Sequence, residues 1–256
     1  MIILKRNKNY LLLAAIFTLI IFFVIISIIL IYRKNSEFNE DAYSNIDWQG
    51  TTPIKTKILN NTKDACDIVF INSSEGWKLS FLDGDTHMTP AILYKTNDSG
   101  KTWDEISRTE DMKYTDPMPL ANKSGITFIN SRTGWITTEL PNSGYIGLFR
   151  TLDGGLTWHY QEVDIPEDNK GDSFLTSPPV FFSKEDGILV TYQCTNLNYL
   201  IYVTHDGGES WTVLTDNTTD GNISWTIDTV NGIEVFYKKE IWIPHNSWRT
   251  WEILKQ

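Results

Sequence analysis

The sequence predicts an all-β fold: a small β-propeller of about four four-stranded blades, preceded by one N-terminal transmembrane helix. Three observations predict it. An eight-residue motif ending in tryptophan recurs along the chain, a second motif recurs in phase with it, and one long uncharged stretch stands near the N-terminus. Repeats of a few tens of residues are the signature of stacked supersecondary units, and four-stranded sheets repeated radially make a propeller.

The first motif is Thr96-Asn97-Asp98-Ser99-Gly100-Lys101-Thr102-Trp103. It returns as Thr151-Leu152-Asp153-Gly154-Gly155-Leu156-Thr157-Trp158 and as Thr204-His205-Asp206-Gly207-Gly208-Glu209-Ser210-Trp211. A fourth, eroded copy ends in Trp251, with Asn246 in place of the aspartate and no glycine. The closing tryptophans follow one another after 55, 53 and 40 residues. The second motif is Phe70-Ile71-Asn72-Ser73-Ser74-Glu75-Gly76-Trp77, repeated from Phe128 to Trp135. Weaker copies run from Phe182 to Ile188 and from Val230 to Ile233.

Within each repeat, short β-branched and aromatic runs alternate with Gly, Asn, Asp and Ser, the pattern of strands joined by tight turns. The first blade reads as strands over 67–71, 77–81 and 91–95, with a fourth from Trp103. The fourth strands of the other blades span 158–163, 211–214 and 251–254. No stretch beyond residue 35 holds a helical period.

The aspartate motif suits a turn. A short carboxylate accepts bonds from backbone amides two residues on, a hydroxyl locks the incoming strand, and glycine allows positive φ. Asp98, Asp153 and Asp206 are therefore expected to be structural, together with Thr96, Gly100, Trp103, Thr151, Gly155, Trp158, Thr204, Gly208, Trp211, Asn246 and Trp251. The motif resembles the Asp-box, or BNR, repeat of sialidases and sortilin-type receptors. Paired with the phenylalanine–glycine motif, it is most similar to photosystem II assembly and stability factor-like propellers. The resemblance covers residues 66–254, implies a propeller, and places the Asp turns away from the ligand face. It does not carry the photosynthetic role with it.

Residues 11–31 carry no charge, and only Thr18 and Ser27 are polar. As a helix they would run about 31 Å, the thickness of a hydrocarbon core. Arg33 and Lys34 follow without a small-residue cleavage site, so the stretch reads as an uncleaved anchor. Lys5, Arg6 and Lys8 precede it, which keeps the N-terminus in the cytoplasm and sends the C-terminal domain outward. The expected layout is a cytoplasmic segment 1–10, a span 11–32, a linker 33–50 and an exported propeller 51–256. Residues 54–59 are expected to add a strand to the last blade and seal the ring.

All 32 acidic residues lie beyond position 34, while five of the 22 basic ones lie at or before it. The exported domain is strongly acidic, which excludes nucleic acid as a partner bound through a basic field. Cys66 and Cys194 are too few for a disulfide framework and too far apart in sequence for metal-site spacing, so two thiols are expected.

An enzyme of the sialidase type needs several converging arginines. The exported domain has Arg108, Arg132, Arg150 and Arg249, and three of these sit in or beside turns of the Asp face. No catalytic residue, metal or cofactor is expected. His205 and His245 fall at variable turn positions and read as solvated, and His159 follows Trp158. Recognition is expected on the opposite loops, 82–90, 140–145 and 195–198, and on the connections 107–124 and 164–179. Candidate binding residues there are Asp83, Asp85, His87, Tyr114, Asp116, Tyr145, Asp164, Glu167 and Asp168. The reading is a membrane-tethered scaffold that binds a protein partner or surface glycan without catalysis. The alternative is a cell-surface glycosidase or carbohydrate-binding protein.

Overall fold

The computed structural model describes residues 56–59, 66–82, 90–109, 118–140, 144–194, 198–228, 232–245 and 250–255. The span 11–32 and the linker 33–50 lie outside them. Among the described residues no helix is long and apolar enough to cross a membrane. The described chain is all-β, with a single 3₁₀ turn at Glu167–Asn169.

Strand β1 (Thr56–Leu59) opens the domain. It does not join the last sheet, as the sequence suggested. It pairs antiparallel with β2, Thr56 opposite Val69 and Leu59 opposite Cys66. Only six residues separate the two strands, so the local hairpin closes at far less entropic cost than a pairing across the chain.

Four antiparallel meanders follow. The first is β2 (Cys66–Phe70), β3 (Gly76–Phe81), β4 (Ala91–Thr96) and β5 (Asp104–Arg108). The second is β6 (Asn122–Phe128), β7 (Gly134–Leu140), β8 (Leu148–Thr151) and β9 (His159–Tyr160). The third has β10 (Phe174–Thr176) and β11 (Val180–Phe181) in its first position, then β12 (Gly187–Gln193), β13 (Tyr199–Thr204) and β14 (Thr212–Leu214). The fourth is β16 (Ile223–Asp228), β17 (Gly232–Tyr237), β18 (Glu240–His245) and β19 (Thr250–Lys255), with β15 (Thr219–Asp220) added to β16. Each meander has the strand order of a propeller blade.

Strand ends follow the sequence reading within a few residues, with exceptions in the long connections. β6 begins inside the expected loop 107–124, and β10 lies inside 164–179. The first strand of the third sheet is one extended segment split in two. Phe174, Leu175 and Thr176 pair with Gln193, Tyr192 and Thr191, and Val180 and Phe181 pair with Ile188 and Gly187. Between the pieces stand Pro178 and Pro179, which lack the amide a ladder needs. β10 also pairs with the end of β7, Leu175 opposite Glu139, and so stitches the second and third sheets together.

Aromatic residues from both motifs fill the spaces between sheets. Trp77 of β3 stacks on Phe128 of the second sheet, Trp135 of β7 on Phe181 of the third, and Phe182 on Tyr237 of the fourth. The first three closing tryptophans then meet their own sheet's phenylalanine edge-on: Trp103 to Phe70, Trp158 to Phe128 and Trp211 to Phe181, at 6.0–6.1 Å. This places the third copy of the second motif on Phe181, one residue before the Phe182 that the sequence suggested.

The glycine six residues on explains the motif. A Cβ at Gly76, Gly134 or Gly187 would lie 2.6, 2.5 or 2.8 Å from a ring carbon of Phe70, Phe128 or Phe181. Only a residue without a side chain lets that ring lie across the hairpin.

Candidate functional site

The repeat is built on its Asp turns. In the first, the Thr96 hydroxyl donates to Asp98 Oδ1 at 2.8 Å and accepts from the Gly100 amide at 2.9 Å. Asp98 accepts from the Thr102 amide at 2.9 Å and hydroxyl at 2.6 Å. The second turn repeats this with Thr151, Asp153, Gly155 and Thr157, and the third with Thr204, Asp206, Gly208 and Ser210. The amide captured by each aspartate belongs to the residue four positions on, not two. The carboxylate therefore braces a wider loop than an ordinary Asx turn.

These bonds hold the carboxyls well below the usual carboxylate range. The Thr102 hydroxyl and amide bring Asp98 to about 2. Burial pushes Asp153 and Asp206 up, but hydrogen bonds from Thr157 and Thr151, and from Ser210 and Thr204, outweigh it and leave both at about 2.

The second and third turns also lock sheet to sheet. The Trp77 indole N–H donates to the Gly154 carbonyl at 3.0 Å, and the Ser107 hydroxyl to the Gly155 carbonyl at 2.8 Å. Gln161 accepts from the Trp135 indole and donates to the Gly208 carbonyl. Gly155 and Gly208 have φ of 102° and 80°, and a Cβ on either would lie 2.4 Å from Leu93 or Trp135. Both the backbone conformation and the close approach demand glycine. Asn246 of the eroded fourth turn lies outside the described residues, while Trp251 packs edge-on against Trp242.

Of the candidate binding residues, Asp83, Asp85, His87, Tyr114 and Asp116 lie outside the described residues. The other four fall in two segments that the structure brings together. The Gly144 amide donates to the Asp172 carbonyl at 2.8 Å, and Tyr145 bridges to Ser173. Across this junction Gly144 approaches the Lys170 carbonyl so closely that a Cβ would lie 2.7 Å from it.

Tyr145 is held in place by its neighbours. Its ring lies on Tyr160, centroids 4.6 Å apart and 13° from parallel, and Tyr160 in turn meets Phe149 edge-on. Burial pushes both phenols up. Asp164, Glu167 and Asp168 are exposed, and Glu167 pairs with Lys170.

Sequence reasoning missed the supports of this corner. Tyr160 sits two residues past a motif tryptophan and so reads as ordinary strand. Gln193 donates to Asp172 at 2.8 Å, a contact between the end of β12 and the connection before β10 that no local pattern reveals.

His205 stands on the third Asp turn. It is exposed, as expected at a variable turn position, and its Nδ1 also lies 2.7 Å from Asp186 Oδ1, a partner the sequence did not name. His245 faces Glu252 across β18 and β19. Cys66 and Cys194 are not joined to each other.

Fold and site together define a repeat-built all-β scaffold whose recurring aspartates hold turns. No family model matches the chain, and no curated protein matches it. A solved structure described as YCF48 bound to D1 peptide is similar at 16% identity, covering 80% of this chain and 71% of that one, with a TM-score of 0.33. At that level the similarity carries no functional argument.

Proposed function

We propose that the chain is a membrane-anchored, extracytoplasmic Asp-box β-propeller that binds or helps assemble a protein partner and performs no catalysis. One observation carries this reading: Asp98, Asp153 and Asp206 are each bonded within their own turns and braced at about 2. The group repeated most faithfully in the sequence thus serves the scaffold, and recognition falls to the variable loops. The Tyr145–Tyr160 stack gives those loops a firm base, and exposed Asp164 and Asp168 give its rim a negative charge suited to a basic peptide segment. An anchor at 11–32 holds the domain at the membrane surface, where such a segment belongs to another envelope or membrane protein.

The test is affinity capture of the full-length chain from solubilised membranes, with mass spectrometry of what is retained. One protein should be recovered in constant ratio to the bait, and less of it with the Asp164→Asn/Asp168→Asn variant. Recovery of glycan without any protein in constant ratio would reject the reading.

A further inference from the structure

The join between the third and fourth sheets carries a titratable cluster that the repeat does not require. His205 occupies the second position of the third Asp turn, where the first two turns have Asn97 and Leu152. Its Nδ1 lies 2.7 Å from Asp186 Oδ1, and its Nε2 lies 3.5 Å from Asp220 Oδ1. The Tyr237 hydroxyl donates to the other oxygen of Asp186 at 2.8 Å. Asp186 belongs to the hairpin between β11 and β12, Asp220 ends β15 and Tyr237 ends β17. A Cβ on Gly221 would come 2.8 Å from His205 Cε1, so the ring is wedged against the β15–β16 turn.

A carboxylate stands at each ring nitrogen, and this selects one protonation state. Imidazolium donates from both nitrogens, whereas neutral imidazole has one N–H and presents a lone pair on the other side. With Asp186 holding Nδ1, a neutral ring turns a lone pair toward the Asp220 carboxylate, and that contact becomes repulsive.

We propose that His205 is a proton-controlled clasp, tying the third sheet's turns to the fourth sheet as imidazolium and releasing the β15 side when it loses its proton. The charged groups around it are consistent with this. Asp186 faces it from the hairpin and Asp220 from β15. Lys238, beyond Tyr237, acts on Asp186 and is itself neighboured by Glu240. Lys184 and Glu185 precede Asp186 in the hairpin, and Asp206 follows His205 in the turn.

The hydrogen bond to Asp186 and the Asp220 charge raise the His205 pKa above its ordinary value. A raised histidine pKa contributes stability fully present below the unfolded value and lost as pH rises through the folded one. Burial pushes Asp186 up, but its bonds from His205 and Tyr237 leave it lowered, so its own contribution fades only at acid pH. The clasp is therefore shut in mildly acidic solution and opens toward alkaline pH.

Hydrogen–deuterium exchange of the full-length chain at about pH 5.5 and about pH 8.5, corrected for intrinsic rates, tests this within the range over which histidine titrates. Peptides covering 219–224 and 237–241 should lose protection at the higher pH, while β12 and β13 should not. In His205→Gln the two conditions should give the same protection. In Asp220→Asn, which removes the carboxylate that a neutral ring opposes, the pH difference should shrink. An unchanged pH response in either variant, or equal protection of the wild type at both pH values, would overturn the clasp.

Discussion

The Trp77 indole lies flat on the Phe128 ring, centroids 3.9 Å apart and 4° from parallel. The first residue belongs to one sheet and the second to the next, so the contact is where one repeat recognises its neighbour. Trp77 is fully buried and its N–H is spent on the second Asp turn. Trp77→Ala should therefore cost about 3–5 kcal/mol, the range for emptying an aromatic site in a core. Chemical denaturation followed by the remaining tryptophans would measure it. A loss below about 1 kcal/mol would mean that the sheets are not held together here.

The phenylalanine–glycine pair should behave as a unit. Gly134→Ala places a methyl 2.5 Å from the Phe128 ring, and overpacking of this kind typically costs about 1–3 kcal/mol. In a Phe128→Leu background the ring is gone and the same alanine should cost less. A double-mutant cycle reads the coupling, which for residues in contact amounts to about 0.5 kcal/mol or more. Simple additivity would contradict the proposed reason for the motif.

Asp153 and Asp206 should matter to stability and not to recognition. Removing either frees a turn amide and two hydroxyls, and the side chains face solvent, so each alanine variant should lose only about 1 kcal/mol. The effect has a pH signature. Both carboxyls sit at about 2, below the ordinary 3.8. Their contribution is full above the ordinary value and disappears as pH falls through about 2. An Asp153→Asn/Asp206→Asn double variant should show a flatter loss of stability than wild type between those limits. Partner capture by the variant near neutral pH should stay unchanged. Capture that fails while the melting curve is normal would move recognition to the Asp face.

Tyr145 and Asp168 should separate along the same axis. Tyr145→Ala removes a stacked ring and should cost about 1 kcal/mol, the scale of an aromatic pair. Asp168→Asn alters an exposed side chain and should stay within about 0.5 kcal/mol. Both should reduce partner recovery, and the Asp168 effect should be larger at low salt, because exposed charges are screened. Melting curves run beside the capture experiment distinguish the two causes.

What the sequence could determine lies within contiguous segments. Each Asp turn closes its bonds inside eight residues, from Thr96 to Trp103 in the first copy, so its chemistry is written in adjacent letters. The same holds for the Asn72 and Asn130 hairpins, where one side-chain oxygen accepts two nearby amides. Such local devices set the strand boundaries and the number of meanders. Partnership between distant segments follows instead from which surfaces meet after the strands pair. Sequence pattern assigned residues 54–59 to the last sheet and named no partner for the exposed His205. The tertiary structure gave β1 to β2 and set His205 between Asp186 and Asp220, 19 residues before it and 15 after. It also divided the first strand of the third sheet at Pro178 and Pro179, with one half reaching across to β7. The physical reason is the same in each case. A backbone ladder accepts any strand that arrives at its edge in register, and an exposed charge takes whichever counter-charge the fold brings near, so neither choice is encoded where the residue itself stands.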